Sequence, residues 1–246
     1  MPESPIVSRS GPAQFPPTRW SLLAAAGGSP SEARAALEVL CQAYWLPVYA
    51  YTRRSGKTPQ DAEDLTQQFF ADLFLKWEHG DFQQERGRFR SYVLGALKRF
   101  LAGESRKRAT WKRGGRHTLV SIDRQAGESW VESLADGDAG PDVLFDKHWA
   151  SSLLERAHAA MEETYRKEGK GANFEVLAPL LGGVESPDAY ATLADALGVS
   201  EAGARMAVFR MRKRYRQLVR EEIEQTVQDR NEVEPELEHL FAILRS

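Results

Sequence analysis

The sequence predicts an all-α protein of two helical domains joined by a flexible acidic linker, and three observations point there. Apolar residues recur at three- and four-residue steps through most of the chain. Strand-like alternation of useful length does not occur. Charge is sorted into basic blocks separated by acid, although the formal net charge is only −2. With 246 residues, 42% of them hydrophobic and 28% charged, the chain fits one or two globular domains and not a collagen-like, mostly disordered or disulfide-scaffold class.

Residues 1–17 carry several prolines and read as a flexible lead, followed by a short helix at TRWSLL that Thr18 would cap. Gly27 and Gly28 end it. Ala33, Ala36, Leu37, Leu40, Tyr44, Val48 and Tyr51 then mark a long amphipathic helix, which Pro47 is expected to kink or split. The next start signal is Thr58 as cap, Pro59 at the first helical position, and Asp61, Glu63 and Asp64 near the positive end of the helix dipole. That helix, over 59–77, packs through Ala62, Leu65, Phe69, Phe70, Leu73, Phe74 and Trp77, with Asp61, Asp64, Gln68 and Asp72 lining its other side. A third helix over 89–108 has Tyr92, Val93, Ala96, Leu97, Phe100 and Leu101 inside, and Lys98, Arg99, Arg106, Lys107 and Arg108 outside.

Residues 112–143 are rich in Gly, Asp and Ser and form the expected flexible acidic linker and domain boundary. Beyond it, a helix over 145–167 runs through Trp149, Leu153, Leu154, Ala157 and Met161, and a shorter one over 173–181 stops before Gly182 and Gly183. The most informative stretch follows. Asp188 or Ser186 opens a helix with Tyr190, Leu193, Ala194 and Leu197 inside; Gly198 permits a left-handed turn, Val199 plugs the interior and Ser200 caps the next helix. In that second helix Ala204, Val208, Met211, Tyr215 and Leu218 form a packing face, which leaves Arg205, Arg210, Arg212, Lys213 and Arg216 pointing elsewhere. This is a helix–turn–helix with a basic outer face, the chemistry a DNA major groove requires.

The charge map agrees. From Arg86 to Arg116 there are eleven Lys or Arg against one acid, Glu104, in a stretch that also carries Phe89, Tyr92, Phe100 and Trp111. From Arg205 to Arg220 there are seven basic residues and no acid. Ser121–Asp146 holds seven acids against Arg124, and Glu221–Ser246 holds eight against Arg230 and Arg245. Clustered cations neutralise polyphosphate by releasing its condensed counterions, so nucleic acid is the expected partner.

Three strings, in this order, resemble bacterial RNA polymerase sigma factors of the extracytoplasmic-function type, and the resemblance spans nearly the whole chain. YWLPVYAYTRRSGKTPQDAEDLTQQFFADLF is similar to the family's first regions, with DAEDLTQ at Asp61 to Gln67 the most recognisable. ERGRFRSYVLGALKRFLAGESRKR resembles the segment that reads and opens the downstream promoter element. YATLADALGVSEAGARMAVFRMRKRYRQL resembles the domain that reads the upstream element. The resemblance implies a region 2-like bundle over 18–111, the linker over 112–143, a region 4-like helix–turn–helix domain over 144–222, and an acidic amphipathic C-terminal extension over 223–246.

It also implies roles. Asp61, Glu63, Asp64, Gln67 and Gln68 would dock on the clamp coiled coil of core RNA polymerase, whose flap is the second contact. Arg90, Tyr92, Lys98, Arg99, Arg106, Lys107, Arg108, Trp111, Lys112 and Arg113 would hold the downstream element, with Tyr92, Phe100 and Trp111 as stacking faces for bases. Ser200, Arg205, Arg210, Arg212, Lys213 and Arg214 would meet the upstream element. The resemblance is compatible with restraint by an anti-sigma factor or a kinase. Met206 and Ala207 depart from the family pattern, which often has a small polar and a basic residue there. The lead, the segment around Tyr165 to Leu181 and the tail are additions to the compact form.

Enzymatic readings fare poorly. Gly56, Lys57 and Thr58 spell the end of a phosphate-binding loop, but the pattern needs glycine where Tyr51 stands, and a strand before it. His79, His117, His148, His158 and His239 lack metal-ligand spacing and are expected to be surface or packing residues, so neither a metal nor a cofactor is called for. Catalytic residues are not expected. Cys41 stands alone, no apolar run approaches the roughly 20 residues that cross a bilayer, and a cytoplasmic protein without membrane contact is the expectation. A stand-alone helix–turn–helix regulator is the alternative; it leaves DAEDLTQQFF and the first basic block without a role.

Overall fold

The computed structural model describes residues 30–78, 88–110, 139–182 and 188–245. TRWSLL, Trp111, Lys112, Arg113 and nearly all of the expected linker lie outside them, as do the side chains of residues 106–110. The described residues are helical throughout, with an isolated bridge between Arg88 and Val227 in place of any strand.

Periodicity places the elements well. Helix α1 spans Pro30–Arg54, α2 Pro59–Glu78 and α3 Phe89–Thr110. Thr58 opens α2 as expected, its Oγ1 accepting from the Asp61 backbone N–H at 3.1 Å. Helix α4, Pro141–Lys167, begins four residues before the expected 145, because Pro141 at the first position is preorganised for helix and Leu144 is buried. The expected 173–181 helix resolves into α5, Gly171–Leu177, and a 3-10 turn, Ala178–Gly182. Helices α6, Ala189–Leu197, and α7, Glu201–Glu224, follow. The tail adds a 3-10 turn, Arg230–Glu232, and α8, Val233–Arg245.

Pro47 does not split α1, which runs through it. A proline removes one hydrogen bond and crowds the preceding turn, at about 3 kcal/mol or more. Around it Tyr44, Trp45, Val48, Tyr49 and Ala50 are all buried, and burial of that order of apolar surface outweighs the loss.

Helix α4 is the spine. It packs along α1 on one side and against α7 and α8 on the other. Tyr44 of α1 meets Phe89 of α3 edge-on at 4.9 Å and Phe145 of α4 at 6.3 Å, so three helices share one aromatic centre. Phe69 of α2 closes on Phe100 of α3 at 5.7 Å. Tyr215 of α7 donates to the Leu154 carbonyl at 3.0 Å, and Arg156 pairs with Glu222 at 2.9 Å. One hydrophobic cluster therefore runs from Leu37 to Leu240 through both of the expected units. The tail belongs to it: Val227, Val233 and Leu240 have no exposure, whereas Phe241 and Leu244 face outward.

His148 and Cys41 lie inside this body. Burial raises the Cys41 thiol, with Glu38 adding to the effect, so the thiol stays protonated and unreactive. Burial lowers the His148 imidazole from 6.5 to about 4. The unfolded chain then takes up a proton before the folded one does, so stability should decline as pH falls from about 6.5 to about 4, by up to about 1.4 kcal/mol per pH unit from this group. Denaturant titrations of wild type and His148→Leu across that range should show the smaller decline in the variant.

Candidate nucleic-acid interface

The turn between α6 and α7 is built by local chemistry. Gly198 adopts φ +65°, where a side chain costs roughly 1–2 kcal/mol, and ends α6 in the left-handed conformation. The Gly198 and Val199 N–H groups return to the Asp195 and Ala194 carbonyls at 3.3 and 3.0 Å. Ser200 is extended and its Oγ accepts from the Gly203 N–H at 3.2 Å, which caps α7. Val199 does not plug the interior as expected: it is 46% exposed, and its Cβ sits beside Gly203 at the surface.

Ala204, Val208, Met211 and Leu218 are buried, which fixes the roll of α7. Arg205, Arg210, Lys213, Arg214 and Arg216 are exposed in consequence. The Arg205 guanidinium lies over the Tyr190 ring at 4.1 Å, so α6 steers its approach. Arg212 is different. Its Nε and NH2 donate to the Leu180 carbonyl at 3.2 and 2.8 Å, tying α7 to the 3-10 turn, and the guanidinium is spent on structure.

Helix α3 presents a second set of expected contacts, and the structure places several of them elsewhere. Arg90 is buried. Its Nε donates to Glu236 at 2.8 Å, NH1 to Asp146 at 2.9 Å, and its carbon lies 5.1 Å from the Trp149 ring centroid. Arg88 reaches Glu232 at 2.7 Å and the same Glu236 at 3.0 Å. Glu236, with no exposure, is thus held between two guanidiniums. Burial alone would lower the Arg90 pKa, but the hydrogen bond and charge of Glu236, with Asp146, hold it above its usual value. His239 approaches Asp146 at 3.2 Å and completes the cluster.

Lys98 lies 2.9 Å from Asp142, an exposed pair worth little to stability. Arg99 is exposed. Tyr92 is 8% exposed and half-buried Phe100 packs on Phe69, so in this conformation both rings serve the core and not a base. The side chains of Arg106, Lys107 and Arg108, with Trp111, Lys112 and Arg113, lie outside the described residues.

On α2, Asp64 and Gln68 are exposed while Asp61, Glu63 and Gln67 are half-buried, giving an acidic and amide face opposite Leu65, Phe69 and Phe70. No trio of His, Cys, Asp or Glu fit to hold a metal occurs among the described residues. No described helix is long and apolar enough to cross a membrane.

Sequence reasoning missed Glu236, although a signal exists: it stands between Val233 and Leu240 on the buried stripe of α8, where a carboxylate needs a partner. Arg88 and Asp146 carry no such mark, since their partners lie far along the chain. No protein-family model, no curated protein and no solved structure matches this chain.

Removing Arg90 leaves Glu236 with Arg88 alone. Arg90→Ala should lower stability by about 3 kcal/mol, read as a fall in the urea midpoint, and Arg90→Lys should recover only part because it lacks the two-pronged donor.

Proposed function

We propose that the chain is a sigma factor of the extracytoplasmic-function type, acting in the cytoplasm of a bacterium. It docks on core RNA polymerase through the acidic face of α2, reads the upstream promoter element with α7, and uses the basic block around α3 at the downstream element. It binds and opens DNA without catalysing bond chemistry. The observation that carries this reading is the helix–turn–helix of α6 and α7, a doubly capped turn that turns Arg205, Arg210 and Lys213 outward. DAEDLTQ on α2 and the basic density from Arg86 to Arg116 support it, because a regulator that only reads an operator needs neither.

On this reading two of the cations of α3 are already engaged. Arg90 has Glu236 and Asp146, and Lys98 has Asp142, so nucleic acid must displace carboxylates to reach them. The body described here is then the closed form, and α3 becomes available only when α4 and α8 move off it. The single continuous core also favours a second reading, a stand-alone helix–turn–helix regulator, in which the closed body is the working form. DNA binding separates them: a sigma factor binds promoter fragments tightly only with core polymerase, a regulator binds its operator alone.

Asp61→Arg combined with Asp64→Arg should weaken co-purification with core polymerase by tenfold or more, on the order expected for charge reversal at a docking face, with helicity unchanged. Unaltered co-purification would count against docking through α2. Arg205→Ala and Arg210→Ala should each weaken promoter binding by the polymerase complex by on the order of 5- to 150-fold, in run-off transcription and gel-shift titration alike.

A further inference from the structure

Two large apolar side chains stand on the outward face of the basic helix. Met206 is 48% exposed and Phe209 is 59% exposed, the highest exposure of any large hydrophobic residue among those described. They are three residues apart, so they share a side of α7 and are separated by about 4.5 Å along its axis. Nothing in the packing of α7 requires them there, since Ala204, Val208, Met211 and Leu218 already fill its inner face.

An isolated exposed Phe is ordinary, but a pair flanked by cations is not. Arg205 and Arg210 adjoin the pair, Lys213 lies one turn on from Phe209, and Glu201 is the one acid of the helix's first half. A polyanion suits that rim and an apolar protein groove suits it less, because α7 carries five exposed cations. Inside the major groove the one apolar feature is the C5-methyl of thymine. The spacing fits: about 4.5 Å along the helix compares with about 3.4 Å between base pairs, so the two side chains address neighbouring pairs.

We infer that Met206 and Phe209 are specificity-determining residues that read the methyl groups of two nearby thymines in duplex DNA, while Arg205 and Arg210 supply hydrogen bonds and phosphate contact beside them. The inference rests on the reading of α6 and α7 as a DNA-binding unit and names what that unit selects. Met206 and Phe209 stand sixth and ninth in α7, within its N-terminal half, where recognition helices make their base contacts.

The test uses the full chain assembled with core RNA polymerase and a random-sequence duplex library. Selection should return thymine at two positions one or two base pairs apart. Each thymine is then replaced by deoxyuridine, which keeps the Watson–Crick edge and loses only the methyl. Wild type should bind about fourfold more weakly per methyl removed. Phe209→Ala should be insensitive at one of the two positions, Met206→Ala at the other, and Phe209→Leu should retain part of the discrimination.

Deoxyuridine without effect on wild type, or a selected site lacking thymine, overturns the inference while leaving DNA binding by α7 intact. Weaker assembly of Phe209→Ala with polymerase, with unchanged base preference, also overturns it and assigns the patch to protein contact. Failure of the complex to enrich any sequence defeats the DNA-binding reading itself. Helicity of each variant serves as the folding control, which exposed positions should pass.

Discussion

The fold turns on one buried carboxylate. Glu236 has no exposure, and an ionised carboxylate in such a place is costly unless it is paired and hydrogen-bonded. Arg88 and Arg90 supply that pairing from a segment about 150 residues earlier in sequence. Because Arg90 also binds Asp146, the start of α3, the start of α4 and the tail meet at one point. The Phe89 N–H donates to the Thr226 carbonyl at 2.9 Å, so the backbone joins there as well. A buried ion pair of this kind is weak evidence of net stability, since its desolvation offsets most of its attraction. What it does supply is direction. Three guanidinium bonds fix where α8 lands, and an apolar contact alone would tolerate sliding.

That geometry explains which features were legible in the sequence. Helices α1 to α4 follow from apolar periodicity, and the turn before α7 follows from Gly198 and Ser200, because in each case the determinants lie within a few residues of their effect. Pro47 was misleading: its local penalty is real, yet the burial of Tyr44, Trp45 and Val48 around it is larger. Val199 failed for a related reason, since a branched apolar residue beside a turn is expected inside and here the turn leaves it on the surface. Arg90 shows where local reading stops. In a run of cations it counts as one more positive charge for a partner, and only the three-dimensional path of the tail places Glu236 against it.

The acidic segments thus do more than offset net charge. Asp142, Asp146, Glu232 and Glu236 each sit on a cation of the first basic block, and they come from the two sections of the chain where acid is concentrated. Carboxylates and phosphates compete for the same donors, and a guanidinium satisfied at 2.8–2.9 Å by two carboxylates offers little to a third anion. The near-neutral net charge of the chain is therefore the sum of two opposed fields that meet at a contact, and it would mislead if read as absence of an electrostatic function.

The two basic surfaces differ in consequence. Helix α7 keeps Arg205, Arg210, Lys213, Arg214 and Arg216 outward because its packing face is used against α4, α6 and α8, while Arg212 bonds the 3-10 turn and Arg220 bonds Glu234 of α8. On helix α3 Arg90 is covered by α4 and α8 while Arg99 is exposed, and exposing Arg90 means stripping Glu236 of a partner inside a low-dielectric site, at a cost of several kcal/mol. On the proposed reading, engagement of duplex DNA by α7 would need no rearrangement of the closed body. On the same reading, engagement of a second stretch through Arg90 of α3 would, and the energy would come from a larger binding surface than DNA gives to one helix. On the proposed reading, a chain with one outward and one partly covered basic surface would act in sequence, the second contact following where core polymerase draws α3 and the tail apart.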